Sequence, residues 1–251
     1  MGGALALGLA QSGQLAAEDI CVSNPHSDKL DALKTAVAGL RTTTDNTECA
    51  SGADMVILAV KPWKVEAVVK ELLPVLVGSG AAVASLAAGI TLGQLEQWLG
   101  GTCGGLYTMI PNTAIACGEG MTFIASKGST AELDAQLTEL LGTMGDAMLV
   151  EERQMEAGMA LASCGIAYAL RYVRAATEGG VQLGFRAADA QRIVASTIRG
   201  AAALLADGAH AEAEIDRVCT PGGRTIRGLN AMEEGGFTNA VVQGLLASVS
   251  H

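Results

Sequence analysis

Short apolar runs alternate with amphipathic stretches along the first 150 residues of the chain. The clearest strand covers residues 54–60, in which residues 55–60 are all apolar, and unbroken apolar strands are typical of a parallel sheet covered by helices on both faces. Further strands are predicted over residues 19–23, 40–43, 81–86, 105–110, 121–125 and 147–150. Helices are predicted over residues 2–13, 27–40 (capped by Ser27), 65–72, 91–99 and 130–141, with a brief helix after residues 45–46. This alternation predicts a doubly wound α/β domain over residues 1–150.

The pattern changes after Glu151. Helical segments without intervening strands are predicted over residues 155–163, 166–183, 187–205 and 240–249. They are rich in Ala and Leu, which gives them more apolar surface than one small bundle buries. We therefore expect part of residues 151–251 to pack against a second subunit.

Composition excludes several classes of partner. The net charge is 16 − 26 = −10, which argues against nucleic acid and anionic membranes. Mean hydropathy is +0.35, but no run of about 18 strongly apolar residues occurs in the sequence. Residues 1–3 lack the basic region of a signal peptide, which favours a cytoplasmic location.

Cysteines and histidines give no metal-site signal. The six cysteines are far apart, without metal or redox spacing, and we interpret them as small buried thiols in a reducing compartment. The three histidines form no ligand cluster, so no metal is assigned.

A turn near the C-terminus carries the strongest candidate chemistry. Pro221 fixes φ, while Gly222 and Gly223 can adopt backbone angles closed to other residues, so consecutive N–H groups can converge on an anion. Thr220 and Thr225 place a hydroxyl on either side of this turn. The alternative is a structural loop in front of a helix that begins near Thr225.

A dinucleotide fingerprint is present only in part. A strand, the pattern G-x-G-x-x-G and a helix bring the pyrophosphate to the helix N-terminus. Here the helix follows Gly2, which can be the last of the three glycines. Asn24 lies 22 residues later, where the residue facing the adenosine ribose belongs. Because Asn24 carries no charge, it favours NADP over NAD, and Ser27 is a candidate contact for the 2′-phosphate. The alternative is that Asn24 and Pro25 form a turn with no role in cofactor binding.

Four separated motifs resemble those of the pyrroline-5-carboxylate reductase family, in the family's order. They are Leu58-Ala59-Val60-Lys61-Pro62, Ala88-Gly89-Ile90, Ile110-Pro111-Asn112-Thr113 and Pro221-Gly222-Gly223-x-Thr225-Ile226. The resemblance implies a Rossmann-like domain, incomplete at its N-terminus, followed by an all-α dimerisation and substrate-binding domain of the 6-phosphogluconate dehydrogenase C-terminal type. It also implies a homodimer, with a ring of dimers as a further state. The reaction implied is the last step of proline biosynthesis, in which NAD(P)H reduces the cyclic imine 1-pyrroline-5-carboxylate to L-proline.

The resemblance also implies roles for individual residues. Besides Gly2 and Asn24, the expected cofactor-binding residues are Asn46, Val60, Lys61, Pro62, Ala88, Gly89, Pro111 and Asn112. Thr220, Gly222 and Gly223 would hold the substrate carboxylate, and Thr225 would hydrogen-bond the ring nitrogen. Thr225 is the expected catalytic residue, with a role in orientation because threonine is a weak acid. NADP is the expected cofactor, and NAD is the alternative.

The chain departs from the family pattern at four positions. Thr108, Ala114, Ile166 and Arg224 stand where the family usually has Arg, Pro, Pro and a small residue. These changes leave open a related small cyclic imino acid as substrate, or a catalytically silent, dimerising NADP-binding relative.

The first strand and first two glycines of the fingerprint are missing from the sequence. Loss of a central strand predicts two unpaired strand edges, together with poor cofactor affinity and solubility for a chain that starts at Met1. We expect about ten upstream residues to supply that strand.

Overall fold

The computed structural model describes residues 1–101, 103–206 and 208–249 and divides the chain into two compact units. The first unit covers Met1–Ser163, and the second begins at Cys164. The predicted boundary at residue 150 stays a prediction, and residues 250 and 251 of the predicted second domain lie outside the described part.

The first unit alternates helices and strands, as the sequence predicts. Its strands are β1 (Cys21–Ser23), β2 (Arg41–Thr43), β3 (Met55–Leu58), β4 (Ala82–Ser85), β5 (Gly105–Pro111), β6 (Gly120–Lys127) and β7 (Gly145–Leu149). Its helices are α1 (Gly2–Gln11), α2 (Ser27–Ala36), α3 (Asn46–Ala50), α4 (Pro62–Leu76), α5 (Leu92–Leu99), α6 (Ala131–Gly142) and α7 (Met155–Gly158). A π-helix over Met159–Cys164 continues from α7. The α/β class of this unit is confirmed.

The strands form two sheets, one of β1 and β2 and one in the order β3-β4-β5-β6-β7. All neighbours are parallel except β5 and β6, which are antiparallel. Strand β6 therefore runs opposite to β5 in a sheet whose other described neighbours are parallel. Only a short 3₁₀ segment, Thr113–Cys117, joins β5 to β6, and a parallel crossover needs a dozen or more residues.

Strand β3 is an edge strand, although its unbroken apolar sequence predicts burial on both faces. Met55, Val56 and Ile57 are only half-buried, whereas all four residues of β4 are buried. In the described part of the chain β1 pairs only with β2, and β3 pairs only with β4. The predicted unpaired edges are thus confirmed at β1 and β3.

Two hydrophobic clusters cover opposite faces of the five-stranded sheet. Val83 and Leu106 contribute to one cluster, which includes α4 and α5, while Ala84 and Tyr107 contribute to the other, which includes α1 and α6. Consecutive strand residues point to opposite faces, so neighbours in sequence separate into different clusters. The second cluster also contains Ile20, next to β1, so both sheets rest on shared apolar packing.

Helix α2 differs from its prediction at both ends. His26 is the N-cap residue and Ser27 is the first helical residue, without a side-chain cap hydrogen bond. The helix ends at Ala36 because Val37 turns to extended backbone (φ −136°, ψ 110°). Gly39 then takes φ +91°, a value that favours glycine.

The second unit consists of helices. They are α8 (Gly165–Gln182), α9 (Ala187–Ala203), α10 (Ala211–Val218), α11 (Arg224–Glu234) and α12 (Phe237–Leu246). Helix α8 approaches α9 so closely that a Cβ on Gly180 would lie 2.9 Å from the Cβ of Ala190. On α12, the Gly244 carbonyl accepts a hydrogen bond from the Tyr168 hydroxyl at 3.1 Å.

The helical unit buries very little of itself. Among its described residues only Ala190 is fully buried, while Leu170 and Leu183 on and beside α8 are 62% and 83% exposed. No helix in the described residues combines the length and apolar character that crossing a membrane requires.

The cysteines are less buried than the sequence interpretation expects. Cys117 is exposed, and the other five (Cys21, Cys49, Cys103, Cys164 and Cys219) are half-buried. They lie at element ends and on sheet edges, where packing is incomplete, and not within the two clusters of fully buried residues.

Candidate active site

The N-terminus of α1 closely approaches the chain that leaves β3. A Cβ added to Gly2 would lie 2.7 Å from the Cβ of Ala59, so only glycine fits without a shift. No side chain caps this helix end, and its first turn contains no acidic residue. Both properties suit a phosphate, which helix N-terminal N–H groups bind. The place of Gly2 therefore fits the last glycine of a dinucleotide fingerprint.

Predicted cofactor residues follow β3 and β4 directly. Lys61 is the N-cap residue of α4 and Pro62 is its first residue, a position that suits proline because its missing N–H is not needed there. After β4, Gly89 takes φ +79° and thus turns the chain toward α5. Carboxyl ends of neighbouring parallel strands meet at one edge of a sheet, where ligands bind in α/β folds. Ala88 and Val60 lie in the same two connections.

Asn112 is buried at the end of β5, and its amide both accepts and donates a hydrogen bond. Its Oδ1 accepts a hydrogen bond from Ala114 N at 3.0 Å, and its Nδ2 donates to Ala162 O at 3.4 Å. The second bond holds the π-helix against the end of β5. Asn112 thus fixes the backbone after Pro111, which the resemblance places near the nicotinamide.

Asn46 lies at the first position of α3 within a chain of polar contacts. Its Oδ1 accepts a hydrogen bond from Ser23 Oγ at 2.7 Å. Its Nδ2 lies 3.3 and 3.2 Å from the two carboxylate oxygens of Glu71 in α4. Ser23 and Glu71 were not predicted as site residues, because no sequence spacing links β1, α3 and α4.

Asp45 begins α3 as its N-cap residue. Its carboxylate accepts hydrogen bonds from the Thr47 hydroxyl and from the N–H groups of Glu48 and Thr47. These bonds, the Thr47 hydroxyl first, hold the pKa of the Asp45 carboxyl below its usual value. The cap fixes the orientation at which α3 presents Asn46.

The side chain of Asn24 stabilises the turn after β1 by a hydrogen bond. Its Oδ1 accepts a hydrogen bond from His26 N at 2.9 Å, which is the turn that the alternative interpretation describes. The same residue also follows the strand end where a ribose contact belongs. Its role toward the ribose remains a proposal.

The predicted substrate loop lies between α10 and α11 in the second unit. Gly222 takes φ +68°, and Gly223 N donates to Thr220 O at 2.8 Å. A Cβ on Gly223 would lie 2.5 Å from Thr220 Oγ1 and 2.9 Å from Thr220 O, so only glycine is accommodated. Left-handed backbone therefore explains Gly222, and the lack of space for a Cβ explains Gly223.

Thr225 is the second residue of α11, whose N-terminus has no side-chain cap and no acidic residue in its first turn. The loop is exposed apart from Cys219 and Gly223, which are half-buried. Thr220 and Thr225 thus flank a tight turn in front of an uncapped helix N-terminus, an arrangement of the kind that can bind an anion such as a carboxylate.

The structure thus places all ten predicted cofactor residues in the first unit and all four predicted substrate residues in the second. Among the departures from the family pattern, Thr108 is buried in β5, and its hydroxyl has no hydrogen-bond partner. Arg224 is exposed as the first residue of α11.

Two family models match the chain. The model for pyrroline-5-carboxylate reductase dimerisation matches residues 152–251, and a model described as NADP oxidoreductase, coenzyme F420-dependent, matches residues 1–89.

Curated relatives match nearly the whole length. Pyrroline-5-carboxylate reductase 2 of Dictyostelium discoideum is 35% identical over 99% of this chain and 87% of its own length. Pyrroline-5-carboxylate reductase 3 of Danio rerio is 34% identical, with 98% and 86% covered.

Similar solved structures cover both units of the chain. A pyrroline-5-carboxylate reductase from Coxiella burnetii has a TM-score of 0.90 at 29% identity and covers 98% of this chain and 91% of its own. Plasmodium falciparum pyrroline carboxylate reductase, solved with NADP bound, has a TM-score of 0.86 at 25% identity, with 99% and 91% covered. With curated relatives above 30% identity matching over almost their entire length, the chain belongs to the pyrroline-5-carboxylate reductase family.

Proposed function

We propose that the protein reduces 1-pyrroline-5-carboxylate to L-proline with NADPH. The observation that carries this proposal is the loop Thr220–Thr225, a tight turn with two flanking hydroxyls in front of an uncapped helix N-terminus. In the reaction the C=N carbon gains a hydride, the ring nitrogen gains a proton, and the C=N bond becomes a single bond.

The first unit contributes the cofactor site. When bound, NADPH supplies the hydride. The N-terminus of α1, which lacks acidic residues, suits its pyrophosphate. Asn24 has no charge to repel a 2′-phosphate, which supports NADP, and the relative from Plasmodium falciparum was solved with NADP bound. Lys61, Pro62, Gly89 and Asn112 follow strand carboxyl ends, where α/β folds bind nucleotides.

The loop Thr220–Thr225 binds the substrate carboxylate. Backbone N–H groups at the start of α11 and the Thr220 hydroxyl can hold an anion without a cationic partner. This arrangement requires Gly223, because the Thr220 side chain occupies the space where a Cβ would lie. Binding the carboxylate fixes the imine ring relative to the loop, and such positioning lowers the barrier to hydride transfer.

Thr225 orients the ring nitrogen by a hydrogen bond. A threonine hydroxyl is too weak an acid to deliver a full proton near neutral pH, so it directs the imine and relays a proton from water. Thr225 belongs to the first turn of α11, the same turn whose N–H groups are proposed to bind the carboxylate, which supports this role.

The helical unit forms a homodimer, and a ring of dimers is the larger assembly that we propose. Its low self-burial and the match to a dimerisation model both support a second copy as partner.

The direct test is the initial rate of NADPH oxidation with 1-pyrroline-5-carboxylate, compared with the six-membered cyclic imino acid. We expect the five-membered substrate to have the higher kcat/KM and proline to be the product. A higher kcat/KM for the six-membered imine would replace the proposed substrate, and a folded protein inactive with both would refute the proposed activity.

A further inference from the structure

Cys21 and Cys49 face each other across the contact between β1 and α3. Cys21 and Ser23 are two residues apart on a strand and therefore lie on one face, while Val22 packs into the hydrophobic cluster behind them. Cys49 is three residues after Asn46, so these two share a face of α3. The hydrogen bond from Ser23 Oγ to Asn46 Oδ1, 2.7 Å long, joins the two faces.

This contact places the two thiols together. The Cys49 thiol lies within hydrogen-bonding reach of the Cys21 thiol and of Ser23. Burial, and then the hydrogen bond with Cys21, raise the pKa of the Cys49 thiol to about 12. Both thiols are only half-buried, so small oxidants can reach them.

The proposed reduction of the imine uses neither thiol. Cys21 and Cys49 are 28 residues apart in sequence, and that separation lacks the short spacing of known redox motifs. Their proximity depends on the fold alone.

We propose that Cys21 and Cys49 form a redox-active dithiol that closes to a disulfide and locks α3 onto β1. The oxidant is a peroxide. The Cys21 sulfur attacks one peroxide oxygen, which breaks the O–O bond and gives a sulfenic acid and one water. The Cys49 sulfur then attacks the Cys21 sulfur, the S–S bond forms, and the hydroxyl leaves with the Cys49 proton as a second water. Two thiols and one hydrogen peroxide thus yield one disulfide and two waters.

The disulfide has a consequence for Asn46, and this part of the inference rests on the proposed cofactor site. A disulfide requires an S–S distance of about 2.05 Å, shorter than any contact between two thiols. Closing it pulls α3 toward β1 and displaces the amide that the resemblance assigns to adenosine. We expect oxidation to raise the Kd for 2′,5′-ADP at least about threefold, a change that a disulfide reductant reverses.

Peptide mapping of the folded full-length chain tests the dithiol directly. After treatment with hydrogen peroxide, alkylation and tryptic digestion without reductant, we expect peptides 1–29 and 42–64 to be cross-linked. Each contains a single cysteine, and the second peptide extends to Lys64 because trypsin cuts poorly at Lys61 before Pro62. The cross-link should vanish in Cys21→Ser and Cys49→Ser and persist in the matched control Cys103→Ser/Cys117→Ser.

The possible results distinguish failure of the dithiol proposal from failure of the proposed cofactor site. Separate oxidation of Cys21 and Cys49 without a cross-link in the folded wild-type protein would overturn the dithiol, whatever the variants do. A cross-link with an unchanged Kd for 2′,5′-ADP would overturn the lock on α3. If the reduced protein fails to bind 2′,5′-ADP, the proposed cofactor site is wrong, while the cross-link still decides the dithiol.

Discussion

The proposed catalytic role of the single residue Thr225 can be tested by substitution. Replacing Thr225 by Ala removes a hydrogen bond to the reacting nitrogen, and we expect kcat to fall about 10²-fold or more. The variant Thr225→Ser keeps the hydroxyl and should retain most of the activity. Steady-state kinetics of both variants measure the difference, and the melting temperature should not change because Thr225 is exposed. Near-normal turnover in Thr225→Ala would disprove the role.

Tyr107 gives a pH dependence of stability that can be checked. Its hydroxyl donates to Asp134 Oδ1 at 2.9 Å, and the Ser129 hydroxyl donates to the same oxygen at 2.7 Å. Burial raises its pKa to about 12, with the anionic Asp134 as a further cause. The unfolded chain releases this proton near pH 10, so the free energy of unfolding is retained below that pH and falls as the pH rises to about 12.

The comparison of wild type with Tyr107→Phe isolates this group. Urea unfolding between about pH 9 and 12 should show a steeper loss of stability in the wild type than in the variant. Parallel curves for the two proteins would mean that Tyr107 titrates alike in the folded and unfolded chain.

Sequence patterns are sufficient to predict most helices and strands of the first unit, but not all of their directions and contacts. The sequence predicts the strands and helices of the first unit in order, because apolar periodicity follows burial. It misses the direction of β6, which depends on the short connection after Asn112. It also misses the contact of Asn46 with Glu71, since these residues lie 25 positions apart on different helices. The loop Thr220–Thr225 was predictable because its chemistry is contiguous, and its glycines have conformational requirements that the structure displays.

Because β1 and β3 have unpaired edges, we expect an added strand to increase stability and cofactor affinity. An N-terminal extension of about six apolar residues, joined to α1 through a glycine-rich turn, should pair with these edges and unite the two sheets. We expect a higher free energy of unfolding and a lower Kd for NADPH. The control extension has the same length with prolines at alternate positions, which cannot complete the hydrogen-bond ladder. Equal stability of the two extended proteins would contradict the prediction.

For the whole molecule, we expect the helical unit to pair with a second copy of the chain. Leu170 is 62% exposed on α8, and we expect Leu170→Glu to disrupt the dimer. Light scattering should give 2 × 25.4 = 50.8 kDa or a multiple for the wild type and about 25.4 kDa for the variant. Trp63→Glu changes an equally prominent apolar residue of the first unit and should leave the mass unchanged. A monomeric wild type would contradict the assembly.

Hydride transfer from the cofactor to the imine carbon can be followed by isotope labelling. The protein would be incubated with 1-pyrroline-5-carboxylate and NADPH that carries deuterium on both positions of C4, and the proline would be analysed by mass spectrometry. We expect L-proline with one deuterium on the carbon that belonged to the C=N bond. Unlabelled proline, or no proline from folded protein, would contradict it.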